Sequence, residues 1–384
     1  NMPDVAEQVL SNGDADIISM ARPMLADAEL VNKTLEGRED EINTCIACNQ
    51  ACLDHTFTGQ EVSCLVNPRA CHETELNYIP AEKIKKIAVV GAGPAGLAYS
   101  EIAAQRGHQV TLFDAAPEIG GQFNLAKQIP GKEEFFETIR YFNRILDVRG
   151  VIRRLNTFVT ADLLKTEGFD EIILATGIEP RTPKIEGVNH QSVKKYVDVI
   201  QGNAAVGGKV AIIGAGGIGF DVAELISHKG VSAAMDVDVF AREWGIDFQN
   251  HPRGGVTGVE PVVETADREI YLLQRKETPV GRGLGKTTGW THRIALSRRN
   301  VKMINGCDYH RIDDSGLHLT INGQPKTLDV DTVIICAGQE PNRQLYEELK
   351  ASGISATLVG GAFEAMELDA KRAINQASYL AAAV

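Results

Sequence analysis

The chain lacks an excess of positive charge. Its 384 residues contain 39 Lys and Arg against 51 Asp and Glu, which gives a net charge of −12. A nucleic-acid-binding protein needs a basic face for the phosphates, so this composition argues against that class. No apolar run approaches the roughly 18 residues of a membrane span, and the first residues do not resemble a signal peptide. We therefore predict a cytoplasmic protein that binds neither nucleic acid nor membrane.

The seven cysteines do not have the distribution expected of disulfides. Five of them lie within 27 positions, in the stretch CIACNQACLDHTFTGQEVSCLVNPRAC that begins at Cys45. Clustered cysteines in a chain without an export signal are more typical of metal binding in a reducing compartment. The length allows two or three domains with proper cores, and the composition is that of an ordinary globular protein.

The spacing of four cysteines favours an iron–sulfur cluster. Structural zinc sites usually combine two separated C-x2-C pairs or a mixed set of Cys and His. Here three thiols are close in sequence and a fourth is remote, which suits a [4Fe–4S] cluster. Zinc, or no metal, stays an alternative, and Cys71 is predicted to be an ordinary buried cysteine. The candidate ligands are Cys45, Cys48, Cys52 and Cys64.

A nucleotide-binding unit is predicted from KKIAVVGAGPAGLAYSEIAAQRGHQVTLFD, which begins at Lys85. A strand at Ile87–Val90 enters a glycine turn, a helix runs to about Arg106, and a second strand at Val110–Phe113 ends in Asp114. In this motif the glycines allow a tight turn, a close approach to a pyrophosphate and close packing of helix on strand. The acid bonds a ribose hydroxyl, so the unit is suited to the adenosine of FAD. The glycines are Gly91, Gly93 and Gly96.

The same pattern returns in KVAIIGAGGIGFDVAELI, which begins at Lys209. Its second strand is predicted at Glu269–Lys276 and ends in Arg275 and Lys276 instead of an acid. A guanidinium binds a 2′-phosphate that an acid would repel, so this unit is suited to NADPH rather than NADH. A solvated strand end is the alternative explanation of the two cations. The glycines of this turn are Gly214, Gly216 and Gly219.

Two further stretches predict where the chain passes between these units. EIILATGIEP and TVIICAGQEP each read as a buried strand followed by a small residue and a glycine, Gly177 in the first and Gly338 in the second. The nicotinamide domain is then inserted into a discontinuous FAD domain. The final segment is predicted to form a strand, a glycine pair that includes Gly361 and a helix that can face the flavin. Ser227–Arg268, with Pro252 and Gly254–Gly255, is predicted to be a surface excursion.

The first residues predict one helix, from the spacing of Val5, Ala6, Val9 and Leu10, and one short strand at Ala15–Met20. One helix and one strand cannot form a domain, because a parallel strand needs neighbours. We therefore expect this segment to be the last piece of a barrel.

Nearly the whole chain resembles the bacterial NADPH-dependent 2,4-dienoyl-CoA reductase family. The resemblance rests on ISMARPMLADAEL, INTCIACNQAC, SCLVNPRACHE, GGQFNLAKQIPGKEEF, GIGFD, LLQRK, GLGKTTGW, ICAGQEPN and AMELDA. It implies two glutathione-reductase-like Rossmann domains, preceded by a Cys-rich linker and the tail of an FMN-binding TIM barrel. The implied division is 1–40 for the barrel tail, 41–80 for the cluster linker, 81–200 and 326–384 for the FAD domain, and 201–325 for the NADPH domain.

The resemblance also implies a function. In that family electrons pass from NADPH through FAD, a [4Fe–4S] cluster and FMN to 2,4-dienoyl-CoA. The Tyr and His that protonate the substrate would lie upstream of Asn1, so no catalytic residue is expected in this chain, and a monomer is expected. Ala362 and Phe363 stand where the family usually has an acid, with Glu364 as a substitute.

The resemblance assigns cofactor contacts in four groups. The FMN contacts would be Ala21, Arg22 and Gln50. The FAD contacts would be Gly91, Gly93, Ala95, Gly96, Asp114, Gln122 and Lys132. The NADPH contacts would be Gly216, Gly217, Arg275, Lys276 and Lys286. The cluster ligands would be the four cysteines given above.

Three other functions remain as alternatives. Trimethylamine dehydrogenase relatives share the layout. A thioredoxin-reductase-like enzyme would need a Cys pair beside the flavin, whereas Cys307 and Cys336 stand alone and are predicted to be small buried hydrophobic residues. An electron-transfer module, like the flavin subunit that feeds glutamate synthase, would lack the FMN-like segment.

Overall fold

The structure, a computed structural model, describes residues 1–248, 258–262, 264–366 and 369–384. Pro252, Gly254, Gly255 and His251 of the predicted surface excursion lie outside the described residues. The α-helices of the described residues are α1 (Pro3–Ser11), α2 (Arg22–Ala26), α3 (Leu30–Leu35), α4 (Leu53–Thr58), α5 (Pro94–Gln105), α6 (Phe123–Ala126), α7 (Phe135–Val148), α8 (Ala161–Glu167), α9 (Tyr196–Ile200), α10 (Gly217–Ser227), α11 (Val237–Trp244), α12 (Gly289–Arg298), α13 (Gln344–Ala351) and α14 (Ala370–Ala383).

The strands are numbered in the same way. They are β1 (Lys86–Val90), β2 (Gln109–Phe113), β3 (Ile152–Arg154), β4 (Glu171–Leu174), β5 (Ile178–Pro180), β6 (Val193–Lys195), β7 (Lys209–Ile213), β8 (Glu269–Leu273), β9 (Lys302–Ile304), β10 (Cys307–Asp313), β11 (Gly316–Ile321), β12 (Gln324–Leu328), β13 (Thr332–Ile335), β14 (Gln339–Pro341) and β15 (Thr357–Leu358). Two 3-10 turns, Glu39–Glu41 and Gly360–Ala362, complete the regular structure of the described residues.

The first of two compact units contains residues 1–124, 134–179 and 339–384. Its five-stranded sheet has the order β15-β4-β1-β2-β3, and every pairing is parallel. Side chains of β1 alternate between two buried faces, with Ile87 and Val89 in one core and Ala88 and Val90 in the other. A parallel strand covered on both faces reads as a continuous apolar run, which explains the sequence of β1.

The second unit contains residues 125–133 and 180–338. Its parallel sheet has the order β6-β13-β7-β8-β9, and an antiparallel sheet of β10, β11 and β12 accompanies it. Val210 and Ile212 of β7 pack in one core, and Ala211 and Ile213 pack in the other. The two units therefore repeat one local design, and the predicted α/β class with parallel sheets is confirmed.

The observed units do not divide at the predicted positions 200/201 and 325/326. β6 and β13 pair with each other, and β13 also pairs with β7, so both strands belong to the second sheet. The boundaries therefore move to 179/180 and 338/339. The assignment of the units to FAD and NADPH stays a prediction.

The predicted N-terminal helix is present as α1, whereas the predicted strand at Ala15–Met20 is not formed. A strand is defined by hydrogen bonds to a neighbour, and no described strand pairs with this segment. Ile17 is accordingly 83% exposed. In the surface excursion, α11 ends at Trp244, whose ring lies 5.0 Å from the guanidinium of Arg298.

No helix among the residues described is long and apolar enough to cross a membrane. This finding agrees with the absence of a long apolar run in the sequence.

The glycines of α10 allow a matched test of the packing of helix on strand. A Cβ at Gly219 would lie 1.9 Å from the carbonyl oxygen of Gly214, whereas a Cβ at Gly217 meets nothing within 4 Å. We expect Gly219→Ala to lower the free energy of unfolding by about 3 kcal/mol, because the backbone must move to admit the methyl group. Gly217→Ala should be neutral or slightly stabilising. Urea denaturation of both variants checks this, and equal midpoints would contradict it.

Candidate nucleotide and cluster sites

The first glycine of each turn is pressed against the end of a neighbouring strand. Gly91 has φ +108°, and a Cβ there would lie 2.2 Å from the carbonyl oxygen of Ala175. Gly214 has φ +112°, and its Cβ would lie 2.3 Å from the carbonyl oxygen of Cys336. Positive φ and the missing space both demand glycine at these positions. The stretches Ala175–Gly177 and Cys336–Gly338 thus have the same role. Each presents, within its own unit, the backbone carbonyl that lies against the first glycine of the turn.

The remaining glycines of the two turns are of two kinds: some have no space for a Cβ, and the others do. A Cβ at Gly96 would lie 1.8 Å from the carbonyl oxygen of Gly91, which repeats the contact made by Gly219 in the second unit. A Cβ at Gly93 meets nothing closer than 4.0 Å, and one at Gly216 meets nothing within 4 Å. The open positions stand at the N-termini of α5 and α10, where unpaired N–H groups favour phosphate.

Asp114 organises the first turn. Its Oδ2 accepts a hydrogen bond of 2.6 Å from the N–H of Ala92, and its Oδ1 accepts one of 2.8 Å from the N–H of Ala116. Each carboxylate oxygen has a further lone pair, so the side chain can still accept a hydrogen bond from a ribose hydroxyl. Asp114 therefore fixes the glycine turn, and the acid at this position of the motif is the one that binds the ribose of a dinucleotide.

Arg275 and Lys276 lie just beyond β8, in an exposed turn rather than at the strand's last residues. The side chain of Gln274 holds the turn, because its Nε2 donates to the carbonyls of Lys276 at 3.0 Å and Thr278 at 2.7 Å. Neither cation has a hydrogen bond or ion pair in the described part of the chain. Two unpaired cations on a fixed turn can bind a phosphate.

Four thiols surround a single small cavity in the first unit. Its wall contains Cys45, Cys48, Cys52 and Cys64 together with Arg22, and the rest is mostly apolar. Burial raises the pKa of the Cys48 thiol to about 12, and the other three thiols raise it further. Burial likewise raises the pKa of Cys64 to about 11, although the N–H groups of Val66 and Asn67 oppose it.

The four thiols match the donor set of an iron–sulfur cluster, which cysteine thiolates hold. Among the described residues, no group of three or more His, Cys, Asp or Glu side chains is placed to hold a metal ion. All seven cysteines are free. The donor set is therefore compatible with the cluster, which stays a proposal.

Comparison with known proteins identifies the family. Residues 85–358 match the pyridine nucleotide-disulphide oxidoreductase family, which is more than half of the chain. The chain belongs to this family. The membership supports an oxidoreductase that binds FAD and a nicotinamide nucleotide on its Rossmann-like units.

Two curated relatives extend the similarity beyond the matched region. The metal reductase of Desulforamulus reducens is 33% identical over 368 residues, which cover 95% of this chain and 54% of the relative. The cinnamate reductase of Clostridium sporogenes is 29% identical over 94% of this chain and 49% of the relative. The chain thus spans about half the length of these relatives.

One solved structure has the same fold over the full chain. A complex of 2-naphthoyl-CoA reductase with 2-naphthoyl-CoA matches with a TM-score of 0.86 at 29% sequence identity. The match covers 100% of this chain and 53% of that chain. The similarity therefore includes the Cys-rich segment that precedes the flavoprotein units.

Lys132 lies in the second compact unit, whereas the sequence predicts it in the FAD half. It was assigned to the FAD half, but residues 125–133 belong to the second unit, where Leu125 and Ile129 are part of the core. The Lys132 Nζ lies 2.5 Å from the Asp221 Oδ1 on α10. Burial lowers the pKa of His292, and the charge of Lys132 lowers it further. Lys132 and Asp221 of α10 therefore form an ion pair, and the electrostatics around His292 favour its neutral form.

The C-terminal glycine pair, Gly360 and Gly361, lies close to the start of α5, just after the first glycine turn. Gly360 has φ +63°, and a Cβ there would lie 2.8 Å from the Cβ of Ala95. Gly361 follows in the buried 3-10 turn. Glu364 is not a free acid, because its Oε2 accepts a 2.7 Å hydrogen bond from Arg372 on α14. The suggested replacement for the missing acid is therefore already paired with an arginine.

A second glycine pair, which the site predictions omitted, approaches the first turn. Gly120 and Gly121 have φ values of +121° and +51°, and a Cβ at Gly121 would lie 2.8 Å from the Cα of Gly93. Gln122 follows them and is exposed. The doubled glycine before Gln122 was the available sequence signal, because such a pair marks a close approach of backbones.

The FMN candidates adjoin the cysteine loop. Arg22 donates a 2.7 Å hydrogen bond to the Oδ1 of Asn49, which lies between Cys48 and Cys52 and has φ +61°. Ala21 precedes α2 and is exposed. The Oε1 of Gln50 is buried and has no partner among the described residues. An orphaned buried oxygen is typical of a site that a ligand or water completes.

The loop from Cys45 to Cys64, which we call the cysteine loop, also contacts α14 through a hydrogen bond. The Nδ1 of His55 lies 2.6 Å from the carbonyl oxygen of Glu61, so Nδ1 carries the proton. Its Nε2 can then accept from the Nζ of Lys371 at 3.1 Å. Sequence reasoning missed this contact, because the two residues are 316 positions apart.

Lys286, a candidate NADPH contact, is exposed, and no described residue contacts it through a hydrogen bond or ion pair.

Cys71 was predicted to be buried, and this prediction is wrong. It is exposed, has φ +64°, and lies in a turn where its N–H donates to the Oε1 of Glu73 at 3.0 Å. Hydrogen bonding within the turn, rather than packing, fixes this residue.

Cys52 and Cys71 provide a matched pair for testing the cluster site. We expect Cys52→Ser to reduce bound iron and acid-labile sulfide to background, because one corner of the cluster loses its thiolate. Cys71→Ser should keep both at the wild-type level, since this residue does not line the cavity. Iron and sulfide assays on anaerobically purified protein measure this. Stoichiometric zinc without sulfide in the wild type would contradict the assignment.

Proposed function

We propose that this chain is the electron-supplying half of an NADPH-dependent 2,4-dienoyl-CoA reductase. One observation carries the proposal: four thiols share one cavity in the unit whose glycine turn and Asp114 suit FAD, and Arg22 lines the same cavity. A cluster at the thiols would stand beside the residues proposed to bind FMN. We further propose a cytoplasmic, monomeric protein.

The two flavins and the cluster have complementary roles. When bound, FAD would supply a two-electron acceptor for the hydride of NADPH, and a cluster at the four thiols would supply one-electron transfer towards FMN. Residues of this chain orient these groups. Asp114 holds the first turn, and the unpaired Arg275 and Lys276 favour the 2′-phosphate of NADPH over the 2′-hydroxyl of NADH.

The proposed substrate class rests on the resemblance of the sequence motifs and on the names of similar proteins. Cinnamate and 2-naphthoyl-CoA, which name two of the similar proteins, both carry a double bond or ring conjugated to a carboxyl-type group. A conjugated 2,4-dienoyl thioester has the same electronic character. We propose this substrate, in the oxidation of unsaturated fatty acids.

The proposal predicts a separation of activities. With FAD and cluster bound, residues 1–384 should oxidise NADPH with ferricyanide as acceptor but should not reduce 2,4-dienoyl-CoA. The full-length protein should do both, because it adds the FMN barrel and its proton donors. Anaerobic stopped-flow absorbance with each acceptor measures this. A full-length protein that reduces ferricyanide but no dienoyl-CoA would contradict the substrate, and no NADPH oxidation at all would contradict the relay.

Arg275 tests the choice of nucleotide. Its guanidinium has no partner in the described chain, so Arg275→Ala should remove a charge-assisted contact to the 2′-phosphate. We expect the KM for NADPH to rise about tenfold or more, while the KM for NADH changes little. Arg311→Ala, which removes an exposed cation of the same unit paired with Asp313, serves as the control. Equal effects on both nucleotides would show that Arg275 does not bind the phosphate.

A further inference from the structure

A half-buried lysine of α14 lies against the cysteine loop. Lys371 is the second residue of α14, and its Nζ lies 3.1 Å from the Nε2 of His55. Both residues belong to the first compact unit, although they are 316 positions apart in the sequence. Neither side chain is among the predicted cofactor contacts. The proposed relay therefore leaves this pair without a role.

His55 lies in the helical turn that begins at a proposed cluster ligand. Cys52 is the N-cap of α4, and its carbonyl oxygen accepts a hydrogen bond of 3.0 Å from the N–H of Thr56. Residues three positions apart in a helix have Cβ atoms about 5–6 Å apart. This spacing keeps the Lys371 ammonium within roughly 13 Å of the Cys52 Cβ, because the ammonium contacts the far side of the ring.

The ring of His55 also stabilises the loop between the third and the fourth cysteine. Its Nδ1 donates to the carbonyl oxygen of Glu61 at 2.6 Å, and the N–H of Gln60 donates to the carbonyl oxygen of His55 at 2.9 Å. With the proton on Nδ1, the Nε2 is a neutral acceptor for the ammonium of Lys371. His55 thus fixes the position of this positive charge but does not neutralise it.

No acid among the described residues neutralises Lys371. Its Nζ contacts the ring of His55, and no described carboxylate lies within ion-pairing distance. The neighbouring Arg372 differs, because it pairs with Glu364 at 2.7 Å. Lys371 also stands in the first turn of α14, where the helix dipole disfavours a positive charge. A half-buried cation in such a position is stabilised by a nearby anion.

A cluster in the cysteine cavity has the complementary charge. A [4Fe–4S] core held by four thiolates is an anion, and reduction adds one more negative charge. A nearby cation stabilises the reduced state more than the oxidised state, so it raises the reduction potential. The wall of the cavity is mostly apolar, which limits screening by solvent. Arg22 lines the cavity itself, but it is assigned to FMN.

We propose that Lys371, held in place by His55, is the cation that raises the reduction potential of the cluster and so favours its acceptance of one electron from the flavin. This inference rests on the proposed function, because it presupposes a cluster at the four cysteines. Lys371 acts through its charge and forms no bond to the cluster. It is therefore a positioning residue for charge and not a catalytic residue.

The test measures the midpoint potential of the cluster in the full-length, cofactor-loaded protein, by redox titration followed with low-temperature EPR. Lys371→Gln removes the charge, so the equilibrium constant for reduction should fall at least about threefold. For one electron this is about 30 mV towards more negative potential, since a tenfold change corresponds to 59 mV. Lys371→Glu reverses the charge and should give about twice that shift. Lys371→Arg keeps the charge and should keep the wild-type potential.

Lys350 provides a matched control on the opposite face of the sheet. It is an exposed lysine of α13, and the adjacent Leu349 packs in the core that contains Val90 of β1. Cys45 packs instead in the core that contains Val89, on the other face of β1. Lys350→Gln removes the same charge from the same unit and should leave the midpoint potential of the cluster unchanged.

Variants of His55 test whether the ring holds the charge in place. His55→Gln keeps an acceptor oxygen near the position of Nε2 and should retain most of the wild-type potential. His55→Leu removes the acceptor and should shift the potential in the same direction as Lys371→Gln. Iron and acid-labile sulfide are measured on every variant, because His55 also bonds the carbonyl oxygen of Glu61 within the loop.

The outcomes distinguish this inference from the proposed function. A lower potential in Lys371→Gln and Lys371→Glu, with full iron and sulfide and no change in Lys350→Gln, would support it. A wild-type protein without iron and sulfide would contradict the proposed function. A complete cluster whose potential is the same in the wild type and in both Lys371 variants, or shifts equally in Lys350→Gln, would overturn this inference alone.

Discussion

The nucleotide-binding units depend on one steric constraint, the contact between the first glycine of a turn and the end of the neighbouring strand. At Gly91 and at Gly214 no Cβ can be accommodated, because a carbonyl oxygen stands within 2.3 Å of its position. The contact sets where β4 and β13 end relative to β1 and β7. The helix that follows each turn then begins with its N–H groups free, at the edge where the strands' carboxyl ends meet.

Local patterns predicted these elements because their causes are local. Glycine spacing, apolar runs and the position of Asp114 follow from contacts within about 30 residues. Lys132 could not be placed in the same way, since its unit is decided by the burial of Leu125 and Ile129 among residues far away in sequence. The segment Ala15–Met20 has the composition of a strand, but pairing needs a partner that composition cannot supply.

The same distinction applies to the cysteines. Their spacing predicted a shared site, and four of them do line one cavity. Exposure of Cys71 depends on a turn with positive φ, for which a cysteine gives no sequence signal. The burial of two of them was also not predictable from spacing. Burial raises the pKa of Cys48 to about 12 and that of Cys64 to about 11, and the charges of neighbouring thiols raise both further.

The repeat between the two units also bears on the choice between one-electron transfer and disulfide chemistry. Cys336 stands where the first unit has Ala175, against the first glycine of the turn. Burial raises the pKa of its thiol, and the charge of Asp221 raises it further. A nucleophilic cysteine needs the opposite environment, a lowered pKa and a second thiol within reach. Cys336, which is half-buried, therefore packs against the glycine turn and is not suited to be a nucleophile.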